Sequence, residues 1–330
     1  MIPTERRYFL DVETSALGRP WRDRLDAAGQ GRAQAINQLH GLPIMLARVL
    51  AGRGGAPAFL DPRIRARMPD PDALVDMTAA AIRLADAVER GETIAIFGDY
   101  DVDGACSAAL LGGFLEQCGA PYIIHIPDRI TEGYGPNVEA IRALSAEGAK
   151  LLVTVDCGVT SFEPLAEARR LGLDAIVLDH HQAPERLPEA IIVNPNRQDD
   201  LSGLGQLCAA GVVFMALAAV SRLLRQRGFF GAARPAPDLL AGLDLVALAT
   251  VADVAPLTGL NRAFVAKGLA VMRGRGRPGL RALFDAARAD GPPRPYHLGF
   301  LIGPRINAGG RIGDAALGAK LLLMQDEAEA

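Results

Sequence analysis

Three carboxylates, Asp99, Asp101 and Asp103, occupy alternate positions in the stretch FGDYDVDGA, directly after the apolar run TIAIF. Asp156 follows the run LLVTV in the same way, and the triplet DHH (179–181) follows AIVL. The carboxyl ends of parallel strands line one edge of a sheet, where ligands bind, so these acids are expected to converge. Crowded carboxylates repel one another by roughly several kcal/mol in a poorly solvated site unless cations neutralise them. The pattern therefore predicts a metal site at this edge.

The mixture of donors indicates which metal the site would hold. Carboxylates with one or two imidazoles and no thiolate suit Mn²⁺ best, with Mg²⁺ possible and Zn²⁺ or Fe²⁺ less suited. Four or more carboxylates favour two ions that share a bridging aspartate. Two such ions activate a water and stabilise the leaving oxygen in phosphoester hydrolysis.

Several simpler patterns fit these residues less well. A solvated acidic turn accounts for one aspartate cluster, but less well for three clusters at strand ends. DYDVDG also opens an EF-hand loop, yet position 12 is Leu110 and a strand precedes the loop. His40, His125 and His297 are interpreted as ordinary histidines. GRGRPG (274–279) matches a dinucleotide fingerprint but follows a helical pattern, so it is interpreted as a basic turn.

The order of apolar and helical stretches along the sequence predicts an α/β fold with a parallel sheet flanked by helices. Short apolar runs that alternate with helical stretches are typical of βαβ units. The predicted strands are TIAIF (93–97), YIIHI (122–126), LLVTV (151–155), AIVL (175–178) and AIIV (190–193). Further helices are predicted over 207–225, over 238–250, after Pro278, and from near Asp314 to the end of the sequence. Residues 1–70 are predicted to form a helical and irregular N-terminal arm that packs on the core.

The composition of the chain excludes several classes of protein. The chain has 330 residues, half of them apolar, and a net charge of −3, which predicts a sizeable core and excludes a globally basic nucleic-acid binder. Four scattered cysteines are interpreted as free cytosolic thiols. The N-terminus has no apolar secretory segment, and the apolar run 208–220 is too short to span a bilayer. A cytoplasmic protein without a membrane segment is predicted.

Five blocks in this order resemble those of DHH-family phosphoesterases, and within them the bacterial single-stranded-DNA-specific exonucleases. The blocks are GDYDVDG (98–104), VTVDCG (153–158), DHH (179–181), ATVADVAPL (249–257) and GPRINAGGRIG (303–313). The resemblance covers most of residues 60–320. It implies a phosphoesterase domain over 71–313 and the start of a connecting helix over 314–330. A second, DHHA1-type domain and an OB-like module have no counterpart here, so the resemblance implies a truncated form.

The resemblance also implies the roles of individual residues. Two Mn²⁺ ions would be held by Asp99 and Asp101 in one site, by Asp103, His180 and Asp253 in the other, and by Asp156 as the bridge. Phe97 stands where some relatives have a histidine, so no ligand is expected there. His181 would face the scissile phosphate as a donor, and Asp179 would orient a histidine.

Contacts to the phosphates are implied by two of the matching segments. They are Arg129 and Tyr134 in IPDRITEGYGPN (126–137), and Arg305 and Asn307 in GPRINAGG, where Gly309 and Gly310 allow close backbone approach. A helix that starts near Pro136 or Asn137 would add backbone donors.

The function that the resemblance implies is hydrolysis of single-stranded DNA in the 5′→3′ direction, releasing 5′-mononucleotides, in DNA repair and recombination. Single-stranded DNA would be the substrate, and a single-strand-binding protein and a helicase the protein partners. Two alternatives stay open. One is a phosphoesterase acting on short oligonucleotides, cyclic dinucleotides or pyrophosphate, and the other is a non-catalytic, helicase-associated scaffold.

Overall fold

The computed structural model describes residues 8–55, 57–129, 132–309 and 314–326. The chain divides into two compact units, one ending at Pro62 and the other beginning at Arg63. The α-helices in the described part of the first unit are α1 (Ala27–His40) and α2 (Ile44–Gly52). The helical character predicted for the N-terminal arm is thus confirmed, whereas its packing on the core stays a prediction.

The second unit is built on a five-stranded sheet in which all strands are parallel, and the predicted fold class is confirmed. The strands are β1 (Ile94–Gly98), β2 (Tyr122–His125), β3 (Leu151–Val155), β4 (Asp174–Leu178) and β5 (Ile191–Val193). Their order across the sheet is β2-β1-β3-β4-β5. The remaining α-helices of the described residues are α3 (Ile64–Arg67), α4 (Met77–Arg90), α5 (Val102–Cys118), α6 (Val138–Ala146), α7 (Phe162–Arg170), α8 (Ala209–Gln226), α9 (Leu243–Ala252), α10 (Gly259–Met272), α11 (Pro278–Ala286), α12 (Pro295–His297), α13 (Gly303–Gly309) and α14 (Leu317–Leu323).

Helices cover both faces of the sheet, which explains why the central strands are apolar throughout. Alternate residues of β1 enter different cores: Ile94 and Ile96 join the cluster of α4, α5 and α8, whereas Ala95 and Phe97 join that of α6 and α7. All five residues of β1 and of β3 are buried. Continuous apolar strands are the expected signature of such a doubly covered parallel sheet.

The later helices agree with the sequence predictions except for the last. A 3-10 turn (Leu239–Gly242) followed by α9 occupies the stretch predicted as a helix over 238–250. The run 208–220 starts at Cys208, the N-cap of α8, and continues into that helix. By length and composition α8 could cross a membrane, but 72% of it is buried, so it packs as a core helix. Pro278 begins α11, as expected for a residue without a backbone donor. The helix expected from Asp314 to the end of the sequence begins at Leu317 and ends at Leu323 instead. Met324 is extended, with φ −53° and ψ 132°, and therefore ends the helix.

The first turn of α5 lies directly against the backbone that leaves β1. A Cβ atom added to Gly104 would stand 2.2 Å from the carbonyl oxygen of Asp99, a distance that real Cβ atoms do not reach. Gly104 also donates its N–H to Asp101 Oδ1 at 3.0 Å, which caps the helix. A side chain at position 104 would force α5 away from the end of β1.

We expect Gly104→Ala to lower the free energy of unfolding by about 1–3 kcal/mol, the usual cost of overpacking. Gly113→Ala in the same helix is the matched control, because the added Cβ would meet only Leu323 Cδ2 at 3.6 Å. That variant should be neutral or stabilising by up to about 1 kcal/mol, since alanine favours helix more than glycine does. Urea unfolding of both variants measures the difference, and equal midpoints would contradict the close approach described here.

Candidate metal centre

The acids that follow β1, β3 and β4 occupy equivalent positions at one edge of the sheet. The N–H of Asp99 donates to the carbonyl of Val155, that of Asp156 to Leu178, and that of Asp179 to Val193. Each acid thus continues the hydrogen-bond ladder one residue beyond its own strand. The backbone therefore fixes all three residues side by side, as the alternation of runs and acids predicts.

Other elements bring further donors to this edge. Asp101 is the N-cap of α5, Asp103 lies in its first turn, and Asp253 caps the C-terminus of α9. His180 Nε2 lies 3.2 Å from Asp156 Oδ1 and 3.7 Å from Asp103 Oδ2, while its Nδ1 lies 4.0 Å from Asp253 Oδ2. His180 therefore lies among acids contributed by α5, β3 and α9.

The donors form three overlapping sets, each with ligand atoms within 4.8 Å of one another. The sets are Asp99, Asp101 and Asp156; Asp103, His180 and Asp253; and Asp156, His180 and His181. The six residues predicted as metal ligands all belong to these sets. Asp156 and His180 each occur in two of them, so they lie where the sets meet.

Asp156 has two unusual features. Its backbone is left-handed, with φ 63°, which is uncommon for a residue with a side chain and is typical of strained functional sites. Its Oδ1 is buried and, although His180 Nε2 lies 3.2 Å away, it accepts no well-aligned hydrogen bond from the described residues. A buried carboxylate oxygen without a donor is costly, and a bound cation would satisfy it.

Asp103 is held by the start of another helix. Its Oδ2 accepts the N–H of Ala209 at 2.6 Å and its Oδ1 that of Ala210 at 2.8 Å, both in the first turn of α8. Each oxygen keeps a second lone pair. The helix terminus therefore orients this carboxylate without excluding it as a ligand.

Asp179 orients its neighbours. Its Oδ1 accepts the backbone N–H of His180 at 2.7 Å and lies 2.7 Å from His181 Nδ1, and its Oδ2 accepts the N–H of Val159. Burial alone would raise the pKa of Asp179, but the hydrogen bonds from His181 hold that pKa below its usual value. The same bond raises the pKa of His181, whereas burial lowers the pKa of His180.

Two residues that the sequence reasoning missed support the histidine pair. Asn194 Nδ2 donates to the carbonyl of His181 at 2.9 Å, and Asn196 Nδ2 donates to that of His180 at 2.5 Å. Both asparagines follow β5 in the segment NPN. They could have been found from the sequence, because they follow β5 just as the acids follow β1, β3 and β4.

Burial makes the cluster electrostatically unfavourable without cations. It raises the pKa of Asp99 to about 7 and, with the charge of Asp253, that of Asp103 to about 8. Burial and the charge of Asp103 raise the pKa of Asp156 well above its usual value, and burial also raises that of Asp253. Protons or metal ions must therefore neutralise the site.

The donor chemistry fits a hard or borderline divalent cation. The three sets contain carboxylate oxygens and imidazole nitrogens but no sulfur. Cys157, next to Asp156, turns its thiol toward the carbonyl of Val155, 3.5 Å away. Oxygen and imidazole donors without thiolate suit Mn²⁺ or Mg²⁺.

The first pair of predicted phosphate contacts lies beside this cluster. Arg129 is exposed, and its guanidinium lies 4.9 Å from the centre of the Tyr100 ring. Tyr100 stands between Asp99 and Asp101 in the sequence. Tyr134 donates its hydroxyl to the carbonyl of Asp156 at 3.4 Å, and its ring meets that of His181 edge-on at 6.1 Å. A helix, α6, does begin after Asn137, as predicted.

The second pair of predicted phosphate contacts lies on a helix, α13. Arg305 is exposed and donates to the carbonyl of Leu301 at 2.7 Å, and Asn307 Oδ1 is buried without a partner among the described residues. Within that part of the chain, neither side chain makes a hydrogen bond or ion pair with the acidic cluster. Gly309 ends α13, and Gly310 lies outside the described residues.

The EF-hand-like and glycine-rich patterns lack the structural context of those motifs, and the cysteines form no disulfide. A strand, β1, precedes DYDVDG, which does not suit an EF-hand. Within GRGRPG, Arg277 forms a bidentate pair with Asp244, at 2.7 and 3.0 Å, so this arginine is structural. All four cysteines are unpaired, as predicted, and all four are buried.

We expect the metal-free protein to lose stability as the pH rises from about 4 to about 8. Asp99 and Asp103 have folded-state pKa values above the value of about 4 for an unfolded aspartate, so the folded state binds more protons in this window. Adding Mn²⁺ should raise the melting temperature more at about pH 8 than at about pH 5.5. Thermal melts in EDTA and in Mn²⁺ measure both effects.

The matched variants for these melts are Asp156→Asn in the cluster and Asp290→Asn on the exposed surface. The first should weaken the response to Mn²⁺ and the second should keep it. A pH-independent melting temperature in EDTA, or equal responses of both variants to Mn²⁺, would contradict the electrostatic account.

The chain resembles known proteins over most of its length. Residues 93–250 match the DHH family, N-terminal domain. The single-stranded-DNA-specific exonuclease RecJ of Salmonella typhimurium is 39% identical over 297 residues, which is 88% of this chain and 51% of that protein. The chain thus spans about half the length of this curated relative.

Solved structures give the same picture. RecJ from Thermus thermophilus in complex with Mn²⁺ matches with a TM-score of 0.74 and 33% identity, over 92% of this chain and 42% of that one. The complex of the same protein with Mg²⁺ matches with a TM-score of 0.66 and 31% identity, over 92% of this chain and 39% of that one. The parallel sheet, its edge of acids and histidines and these similarities agree: residues 93–250 of the chain form a domain of the DHH family.

Proposed function

We propose that this chain is a metal-dependent exonuclease that hydrolyses single-stranded DNA from the 5′ end and releases 5′-mononucleotides. The observation that carries the proposal is the convergence of carboxylates and imidazoles around buried Asp156, whose Oδ1 makes no hydrogen bond with the described residues. The similarity of the chain to RecJ exonucleases supports single-stranded DNA as the substrate. The Mn²⁺ and Mg²⁺ complexes of a relative support a divalent metal ion as the cofactor. The resident cofactor would be two Mn²⁺ ions, with Mg²⁺ able to replace them.

The overlap of the three donor sets supports a specific division of ligands. Asp99 and Asp101 would hold one ion, Asp103, His180 and Asp253 the other, and Asp156 would bridge them. When bound, the ions would lower the pKa of a water molecule and neutralise charge on the phosphate. The bridging role suits Asp156 because it belongs to more than one set.

His181 and Asp179 would act on the phosphate together. Asp179, kept ionised, can only accept a hydrogen bond, so His181 donates from Nδ1 and keeps Nε2 for the substrate. The raised pKa of His181 favours the imidazolium, which donates a hydrogen bond from Nε2 and cannot ligate a metal ion. We therefore assign His181 as a donor to a phosphate oxygen.

Four further residues would bind the phosphates of the strand. Arg129 and Tyr134 lie against Tyr100 and His181, beside the cluster. Arg305 is exposed, and Asn307, also on α13, carries an oxygen with no hydrogen-bond partner in the described part of the chain. Guanidinium groups match phosphate geometry well, which supports the roles of Arg129 and Arg305.

The wider setting is also a proposal. Residues 71–313 would form the phosphoesterase domain, with the arm 1–70 packed on it and 314–330 leading into a connecting helix. Family resemblance suggests a single-strand-binding protein and a helicase as partners, a role in repair and recombination, and a location in the cytoplasm.

We expect Asp156→Asn to lower kcat on single-stranded DNA by about 10³-fold or more, because several kcal/mol of charge stabilisation depend on the bound cations. Asp290→Asn is the control, since this exposed acid lies outside the three donor sets. The assay follows release of mononucleotides from 5′-labelled single strands, with duplex DNA, a dinucleotide and pyrophosphate as competing substrates. Faster turnover of the small substrates would favour the alternative phosphoesterase. Full activity of Asp156→Asn in Mn²⁺ would overturn the mechanism.

Asp179→Asn should separate orientation from metal binding. We expect it to lower kcat by about 10- to 100-fold, the usual effect of losing the partner that orients a functional histidine. It should still show the stabilisation of the fold by Mn²⁺, and its activity should fall with rising pH at a lower pH than that of the parent, because His181 loses its carboxylate partner. A loss of the Mn²⁺ response together with activity would show that Asp179 is instead needed for metal binding.

A further inference from the structure

An exposed pair of stacked aromatic rings lies outside the site described above. Tyr296 on α12 and Phe300 in the π-helical turn Leu298–Ile302 have ring centres 5.3 Å apart and planes inclined by only 24°. Their residues are 60% and 70% exposed. Aromatic side chains stabilise a protein mainly when they are buried, and exposed apolar patches mark binding surfaces. The exposed pair therefore indicates a binding surface.

The turn that carries Phe300 rests on residues next to the metal cluster. A Cβ on Gly299 would stand 3.4 Å from Val251 Cγ1, near Asp253 in sequence. A Cβ on Gly303 would stand 3.4 Å from Ala252 Cβ and 3.7 Å from Val102 Cγ2. Ala252 directly precedes Asp253, and Val102 lies between Asp101 and Asp103. The aromatic pair therefore occupies the outer side of a segment whose inner side contacts the flanks of the metal site.

Positive charge borders the two rings. Arg294 precedes α12, Arg305 lies on α13, and both are exposed. Arg305 donates to the carbonyl of Leu301, and neither arginine forms an ion pair with an acid among the described residues. In the segment RPYHLGFLIGPR (294–305) one arginine thus stands at each end of the aromatic pair, and no acid in the described part of the chain neutralises either of them.

We propose that Tyr296 and Phe300 form a stacking platform for the bases of single-stranded DNA, with Arg294 and Arg305 beside it contacting the backbone. Stacking on aromatic rings together with adjacent positive charge is how proteins bind single strands without reading sequence. A π-helical turn in a functional segment agrees with this role. The inference rests on the proposed function only in taking single-stranded DNA as the ligand.

Binding measured in EDTA tests the platform separately from hydrolysis. Fluorescence anisotropy of the full 330-residue chain with a labelled oligothymidylate should show that Phe300→Ala raises Kd by about ten-fold, close to 1.4 kcal/mol. Tyr296→Ala should have an effect of the same kind. Phe300→Trp should bind as the parent does, whereas Phe300→Leu should resemble the alanine variant. Ile82→Ala, at an exposed apolar position on α4, is the control and should change nothing.

An abasic oligonucleotide of the same length identifies stacking as the cause. The parent should bind it about ten-fold more weakly, and Phe300→Ala should cost nothing further. Equal Kd values for the parent and both alanine variants would overturn the inference, as would an equal loss on normal and abasic strands. So would a parent that binds no single-stranded DNA. A change in oligomeric state without a change in Kd would assign the rings to a protein contact instead.

The same variants keep the inference distinct from the proposed function. If the parent binds single strands through these rings but hydrolyses none in Mn²⁺, the platform stands and the proposed activity fails. If the parent hydrolyses DNA and the variants keep its KM as well as its Kd, the activity stands and the platform fails. Thermal melts of each variant confirm that the fold is retained.

Discussion

The central constraint in this structure is that the sheet holds several mutually repelling carboxylates close together at one edge. The backbone N–H groups of Asp99, Asp156 and Asp179 are bonded to neighbouring strands, so the residues cannot separate without breaking the ladder. Asp103 is fixed from another side by the first turn of α8. Buried like charges are unfavourable unless a partner compensates them. The fold therefore maintains an unfavourable electrostatic repulsion that bound divalent cations would neutralise. This repulsion favours cation binding at the edge of the sheet.

The strand order explains why the site lies at this edge and between these strands. With the order β2-β1-β3-β4-β5, the chain leaves β1 toward one side and reaches β3 on the other. Ligands of open α/β sheets bind at such a reversal, beyond the carboxyl ends of the strands. Asp99 follows β1 and Asp156 follows β3, so the two acids face each other across the reversal. The left-handed backbone of Asp156 turns the chain there.

The sequence predicted the parts of the site that local patterns determine. Apolar runs that end in acids located Asp99 and Asp156 because strand ends share an edge in a parallel sheet. The position of Asp253 at the end of α9 depends on helix packing, which no local pattern specifies, and only family resemblance selected it. The hydrogen bond from Asn194 to His181 depends on the course of a loop. Likewise, the sequence did not show that α14 ends at Leu323.

The central claim is that the buried acids form one site for two cations. The most direct measurement is anomalous diffraction from crystals of this chain grown or soaked in Mn²⁺, recorded near the manganese absorption edge. The account predicts two peaks at the carboxyl ends of β1 and β3, with Asp156 touching both and His180 touching one. Peaks elsewhere, or none between these side chains with their oxygens pointing apart, would contradict it.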